Sequence, residues 1–302
     1  MLQFSRLSLS ELITLRPYIM QGISRICNNT IGGIFMWRDY FNMEYALFNE
    51  TVIFKARAKY NGVDTVFSLP LGNDYNGSIC KIVEYCRTSG IPVAFYAVTD
   101  EDIKSLQNIL ISSTSTSSYK THTNEDWSDY IYEAPALVNL EGRKYSGKRN
   151  HINQFKKEHD NWVFEEITPE NLSFVREFYL SYSLKQSFTT KTAIEDHDKT
   201  IEVLDNYMLY GLIGGLIKVN ESVVAFSIGE SKNDVLYIHT EKADTHYKGV
   251  YQVINNEFAK HYTTDTIRFI NREEDDGDPG LRFSKNSYHP CKIVSKYIYI
   301  VV

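Results

Sequence analysis

Three stretches of this chain gather side chains that could hold anions or move protons. The densest is residues 267–290, IRFINREEDDGDPGLRFSKNSYHP, where an apolar run ends in Asn271-Arg272-Glu273-Glu274-Asp275. Gly277 and Pro279-Gly280 then turn the chain into a segment bearing Arg282, Lys285 and Tyr288. Carboxylates, a guanidinium and a phenol at one strand end suit proton transfer, with a carboxylate as base and Tyr or Lys as acid. Sheets of α/β proteins also place ligands beyond the carboxyl ends of their strands. The blander reading is a loop of solvated charge, which such runs usually are.

The second stretch is 246–251, where Lys248, Gly249 and Val250 lie between the strand pattern VLYIHTEKA and the helix pattern YKGVYQVINNEFAKHY. A helix start offers backbone N–H groups and the positive end of the helix dipole, which suit a phosphate or another anion. One glycine and one lysine describe a plain turn before a core helix equally well. The third stretch, 142–157, is GRKYSGKRNHINQFKK, with six Lys/Arg and no acid in sixteen residues. Ile152 and Phe155 mark its buried side and leave Arg143, Lys144, Lys148 and Arg149 as an anion-binding face. Polyphosphate, an RNA backbone and anionic lipid headgroups all fit that chemistry, and so does a merely solvated helix.

Other chemistries lack their signatures. The eight histidines have no H-E-x-x-H spacing, and no G-x-S-x-G, P-loop or G-x-G-x-x-G occurs. This disfavours a metal site, a serine hydrolase, an NTPase and an NAD enzyme. The four cysteines form no C-x-x-C and are expected as reduced thiols. A net charge of −6 argues against a uniformly basic nucleic-acid coat but not against a local basic patch. No run reaches the ~18–20 apolar residues that span a bilayer. MLQFSRLSLSELITL is too polar for a signal peptide, so a soluble cytoplasmic protein is expected.

The elements that would position these stretches read as mixed α/β. In the first half, 10–20 and 78–90 have helical spacing, the latter closed by Gly90. Residues 45–57 form two β-rich runs around Asn49-Glu50, while 63–72 and IPVAFYAV read as further strands. Residues 112–118, SSTSTSS, read as a surface loop or strand edge, with a long linker as the alternative. In the second half the strand WVFEEIT precedes a helix starting at Thr168-Pro169-Glu170, and a second helix covers 191–209. LIGGLIKV and SVVAFSIGE read as a hairpin about Asn220-Glu221, followed by VLYIHTEKA, the helix after Gly249 and the strand TIRFINRE. A short helix near 279–287 and one strand, KIVSKYIYIVV, close the chain. Both halves run helices, a strand hairpin, a helix and a strand, which predicts two like domains at 1–135 and 136–302.

Two motifs are familiar. Lys144-Tyr145 with Lys148-Arg149-Asn150-His151-Ile152-Asn153 and Phe155 is one. The other is Asn271-Arg272-Glu273 through Gly280-Leu281-Arg282 to Lys285, Ser287-Tyr288 and Pro290. Over most of its length the chain resembles proteins related to the C-terminal domain of phosphatidylglycerol lysyltransferase, a group long known as a domain of unknown function. The resemblance implies two tandem acetyltransferase-like (GNAT) folds and kinship with enzymes that take an amino acid from aminoacyl-tRNA. In that scheme the turn before 249–260 holds the donor phosphates, although Tyr247-Lys248-Gly249-Val250-Tyr251 keeps only one glycine of an acetyl-CoA loop.

The resulting expectation is an N-acyltransferase moving an aminoacyl or acyl group from an activated donor, acyl-CoA or aminoacyl-tRNA, to an amine or hydroxyl. Glu273 and Asp275 would act as base or hold a cationic amino group, Arg272 or strand backbone N–H groups would support the oxyanion, and Tyr288 would be the acid. Lys248, Gly249, Val250, Lys148 and Arg149 would hold donor phosphates, with tRNA or anionic lipid along the basic helix. The alternatives are a non-catalytic GNAT scaffold binding RNA, a nucleotide or a lipid headgroup, and an acetyl-CoA-dependent N-acetyltransferase.

Overall fold

The computed structural model describes residues 2–60, 62–114 and 118–302. The chain forms two compact units, one of Met1–Asp129, Glu274–Gly277 and Val294–Val302, the other of Tyr130–Glu273 and Asp278–Ile293.

The first unit runs β1 (Ser5–Arg6), α1 (Leu12–Gln21), α2 (Ile31–Phe35), β2 (Glu44–Phe48), β3 (Thr51–Tyr60), β4 (Val63–Phe67), β5 (Leu71–Gly72), α3 (Tyr75–Ser89), β6 (Ala94–Val98), α4 (Asp100–Thr114) and β7 (Tyr119–Thr123). Its sheet has the order β1-β2-β3-β4-β6, then the chain's last strand Tyr297–Val301, then β7, with β5 paired to β3. Asn49 and Glu50 both have positive φ, 43° and 52°, the backbone that a two-residue hairpin needs to match strand twist. In α3 the Asp74 carboxylate accepts from the Gly77 N–H at 2.9 Å, and Gly90 closes the helix at φ 65°. Its buried Ile79, Ile82, Val83 and Cys86 keep helical spacing, and burial pushes the Cys86 thiol up to about 12.

Helix α4 corrects the reading of 112–118 as a loop: residues 112–114 are its last turn, and 115–117 lie outside the described residues. The Asp102 carboxylate accepts from the Thr99 N–H and hydroxyl at 2.9 and 2.7 Å, and the Asp102 N–H donates to the Thr99 carbonyl at 3.0 Å, a helix start that the sequence carries as T-x-x-D.

The second unit contains β8 (Asp129–Glu133), α5 (Ala134–Asn139), α6 (Ser146–Glu158), β9 (Trp162–Glu166), α7 (Leu172–Ser183), α8 (Lys191–Asp205), α9 (Tyr207–Tyr210), β10 (Ile213–Val219), β11 (Ser222–Lys232), β12 (Val235–Ala243), α10 (Val250–Tyr262), β13 (Phe269–Asn271), α11 (Pro279–Asn286) and β14 (Lys292–Val294). Strand order is β14-β8-β13-β12-β11-β10-β9. β12 and β13 run parallel, joined by α10 as the crossover. Val250, Val253, Ile254 and Phe258 of α10 pack with Ile217, Ala225 and Leu236 of the sheet and with Ile152 and Phe155 of α6 in one core.

Two boundaries differ from the sequence reading. Thr168-Pro169-Glu170 is a turn, because Asn171 takes the Thr168 N–H at 2.8 Å, and α7 begins only at Leu172. KIVSKYIYIVV is not one strand: β14 belongs to the second sheet, while Tyr297–Val301 joins the first. Lys296 sits at the break, 3% exposed, with its ammonium 2.7 Å from Asp129 Oδ1 and 2.8 Å from Asn28 Oδ1 and also bonded to Glu274. A buried ammonium needs such partners, and they lie off the line of a continuous strand.

Candidate active site in the second unit

The register between the parallel strands β12 and β13 ends at Tyr237–Asn271. Beyond it, side chains bridge the two strands. Arg272 Nη2 lies 3.5 Å from Glu241 Oε1, and His239 Nδ1 lies 2.6 Å from Glu273 Oε1. His239 is a bulge residue, since Ile228 pairs with Thr240 and Gly229 with Ile238, leaving nothing opposite it. A bulge of this kind re-aims a side chain and ends regular pairing. Three further bonds fix the strand end. The Arg272 N–H donates to Tyr130 O at 3.0 Å, Lys285 Nζ donates to Arg272 O at 2.6 Å, and the Glu273 N–H donates to the buried Asn271 Oδ1 at 2.7 Å.

Around Arg272 the charge is buried and unevenly satisfied. Its guanidinium lies 4.9 Å from the centre of the Tyr288 ring, and Lys148 Nζ lies 4.0 Å from the same centre. Lys148 also donates to Ser287 Oγ at 2.6 Å. Burial, then the neighbouring Arg272, pulls the Lys148 ammonium down to about 8. Burial raises the Tyr288 phenol, so its hydroxyl stays protonated. Burial also raises the Glu241 carboxyl against the pull of Arg272, and Glu241 Oε2 accepts from Asn255 Nδ2 at 3.2 Å. Arg272 Nη1, Asn255 Oδ1 and the hydroxyl of Ser227, opposite Glu241 in the ladder, are buried with no hydrogen-bond partner. Such orphans are costly in a low-dielectric interior, which makes this a place built to meet a polar ligand or water.

The turn before α10 opens a cleft of about 280 Å³, lined by Lys248, Gly249 and Val250 and by His151 and Gln154 of α6. Gly249 has φ 87°, and a Cβ there would stand 2.3 Å from the His151 carbonyl oxygen. Only glycine allows this approach of the turn to α6. Tyr251, also lining the cleft, is raised first by burial, then by Tyr182, with which its hydroxyl is bonded, and by Glu241.

The structure brings Arg272, Tyr288 and Lys148 together and places Lys248, Gly249 and Val250 at the cleft. Glu273 turns instead to His239. Arg149 caps carbonyls, with Nη1 bonded to Leu140 O and 2.8 Å from Gly142 O. Asp275 is fully buried in the first unit, where it accepts from the Gly277 N–H at 2.9 Å. The sequence reading missed Glu241, Asn255, His239 and Glu230. The signal for two of them was present: His239 and Glu241 are polar residues two apart on a strand that begins Val-Leu-Tyr-Ile. Among the described residues Cys27, Asp129 and Glu274 of the first unit have the spacing of metal ligands. Lys296 already fills that position with its own cation.

With two mixed sheets in succession, the protein has a tandem GNAT-like fold. It belongs to the phosphatidylglycerol lysyltransferase C-terminal family, whose model matches residues 23–300. A conserved protein of unknown function from Bacteroides thetaiotaomicron superposes with TM-score 0.85 at 28% identity, over 100% of both chains. L-PGS from Bacillus licheniformis superposes with TM-score 0.64 at 16% identity, over 96% of this chain and 91% of that one. An uncharacterised protein of Mycoplasmoides gallisepticum is 25% identical over 191 residues, 59% of this chain, and the match spans 58% of that relative's length. Among the described residues no helix is long and apolar enough to cross a membrane.

Proposed function

We propose that the second unit transfers an aminoacyl group from an aminoacyl-tRNA-like ester to an amine or hydroxyl. The carrying observation is the buried Arg272 guanidinium with one nitrogen unpartnered. An ester carbonyl attacked by a nucleophile develops negative charge on oxygen, and a fixed donor that is not already satisfied stabilises that charge most. Lys148, lowered to about 8 so that its neutral amine is accessible, takes the proton of the attacking group in that form, and the Tyr288 hydroxyl gives one to the leaving oxygen. Lys248 and the first turn of α10 hold a donor phosphate in the cleft, flanked by the basic face of α6. The single glycine of the donor turn favours an ester on RNA over acetyl-CoA, and the exposed Arg143 and Lys144 favour a polyanionic donor. An anionic lipid headgroup is one acceptor that family membership suggests.

The test offers labelled aminoacyl-tRNA and acetyl-CoA to the full chain with amine, hydroxyl and lipid acceptors. Transfer from aminoacyl-tRNA is expected, and Arg272→Lys should lower kcat by a factor corresponding to roughly 3 kcal/mol. Turnover of acetyl-CoA alone, or an unchanged rate in Arg272→Lys, overturns the proposal. Salt-sensitive tRNA binding without transfer would mark a binding scaffold instead.

A further inference from the structure

The bulge on β12 raises a question that the oxyanion cluster does not answer: why a fully buried histidine is held by two carboxylates. His239 Nδ1 is 2.6 Å from Glu273 Oε1, and its Nε2 is 2.8 Å from Glu230 Oε1. The imidazole is 2% exposed and Glu230 7%, whereas Glu273 keeps 19%. Glu273 also has φ 59°, an uncommon conformation for a residue with a Cβ, fixed by its N–H bond to Asn271 Oδ1. Strain, a bulge and a buried ion pair thus converge on the aim of one half-buried carboxylate.

We infer that His239 is a positioning residue: anchored from behind by Glu230, its imidazolium holds Glu273 at the open end of the β12–β13 pair as a fixed seat for a primary ammonium group. The inference rests on the aminoacyl-transfer reading and selects between the two roles open to Glu273. With both ring nitrogens facing carboxylate oxygens, both must carry hydrogen. Burial works against that charge, but the two carboxylates outweigh it and push His239 up to about 10. A proton delivered to Glu273 would undo the pair, so a seat for a cation suits it better than the role of base. The groups facing the imidazole are Glu230, Glu273 and the roughly parallel ring of Tyr237. Lys232, two residues from Glu230 on β11, is lowered by burial and partly restored by the Glu230 charge. Signs therefore alternate from Lys232 through Glu230 and His239 and end on the negative, partly exposed Glu273. Arg272 and Glu273 are successive residues, and one pairs with Glu241 while the other pairs with His239 across the same opening. An aminoacyl ester has the matching pair of features, a carbonyl oxygen and, one carbon away, an ammonium.

The test needs no turnover. Alaninamide and N-acetylalaninamide are titrated into the full chain and followed by NMR, the second probe lacking only the ammonium. The wild type should prefer alaninamide by roughly tenfold or more. Glu273→Gln should abolish the preference, and His239→Gln and Glu230→Gln should each reduce it while leaving the circular dichroism unchanged. The nitrogen shifts of the His239 ring at pH 8 should report an imidazolium in the wild type and a neutral ring in Glu273→Gln. Equal or undetectable binding of both amides by the wild type, or full preference in a folded His239→Gln protein, overturns the inference. A clear preference with no transfer from aminoacyl-tRNA overturns the functional reading and leaves the ammonium seat standing.

Discussion

Substituting His239 should change how stability depends on pH, with a sign and size that the structure sets. The folded-state value near 10 lies above the 6.5 of an exposed histidine. The folded protein therefore binds the imidazole proton more tightly than the unfolded chain does. Stability from this group is complete below pH 6.5 and is lost as pH rises from 6.5 towards 10. At ~1.36 kcal/mol per pH unit the rise has an upper bound on the order of 5 kcal/mol. Relaxation and water entry reduce it, so a few kcal/mol is the working expectation. Lys148 and Lys232 act oppositely, since both are held near 8, below the ordinary lysine value, and favour folding as pH rises above that. The wild-type profile alone therefore mixes terms. The difference between wild type and His239→Gln isolates the imidazole. Urea unfolding at pH 6, 7, 8 and 9.5 should show the variant several kcal/mol less stable at pH 6 and progressively closer to wild type by pH 9.5. A difference that stays constant across that range would falsify the charged, doubly paired histidine. A difference that grows with pH would refute it more strongly.

Two further outcomes follow from the packing. Gly249→Ala places a Cβ at φ 87° and 2.3 Å from the His151 carbonyl, so it should cost about 2 kcal/mol or more and shrink the cleft. Thermal melts with and without inorganic pyrophosphate should show a lower Tm and a smaller ligand-induced rise. In the first unit, Lys296→Met strands Asp129 and Glu274 without their cation and should cost about 3–5 kcal/mol by urea unfolding. Adding Asp129→Asn should recover part of that loss, because the orphaned charge and not the missing packing dominates.

The alternation of elements, the hairpins at Asn49-Glu50 and Asn220-Glu221, and the helix cores were legible in the sequence because each is a local property. Turn residues fix φ within two positions, and a buried face repeats every three or four residues. Arg272, Tyr288 and Lys148 were legible as residues too, since their chemistry is concentrated in short runs. The groups around them were not, because Glu241 and Glu230 come from other strands and Asn255 from a helix face, where spacing along the chain says nothing of distance. Helix α4 was missed although its T-x-x-D start and apolar spacing were present. The break in KIVSKYIYIVV could not have been read, because it depends on where Asn28, Asp129 and Glu274 stand around Lys296. Arg149 shows the same limit from the other side: it looks like its neighbour Lys148, yet two carbonyls take its guanidinium. Residue type and local pattern determine which groups are available. Only the tertiary structure decides which of them are already satisfied, and an atom that is buried and still unsatisfied, as Arg272 Nη1 is, can be committed to a substrate.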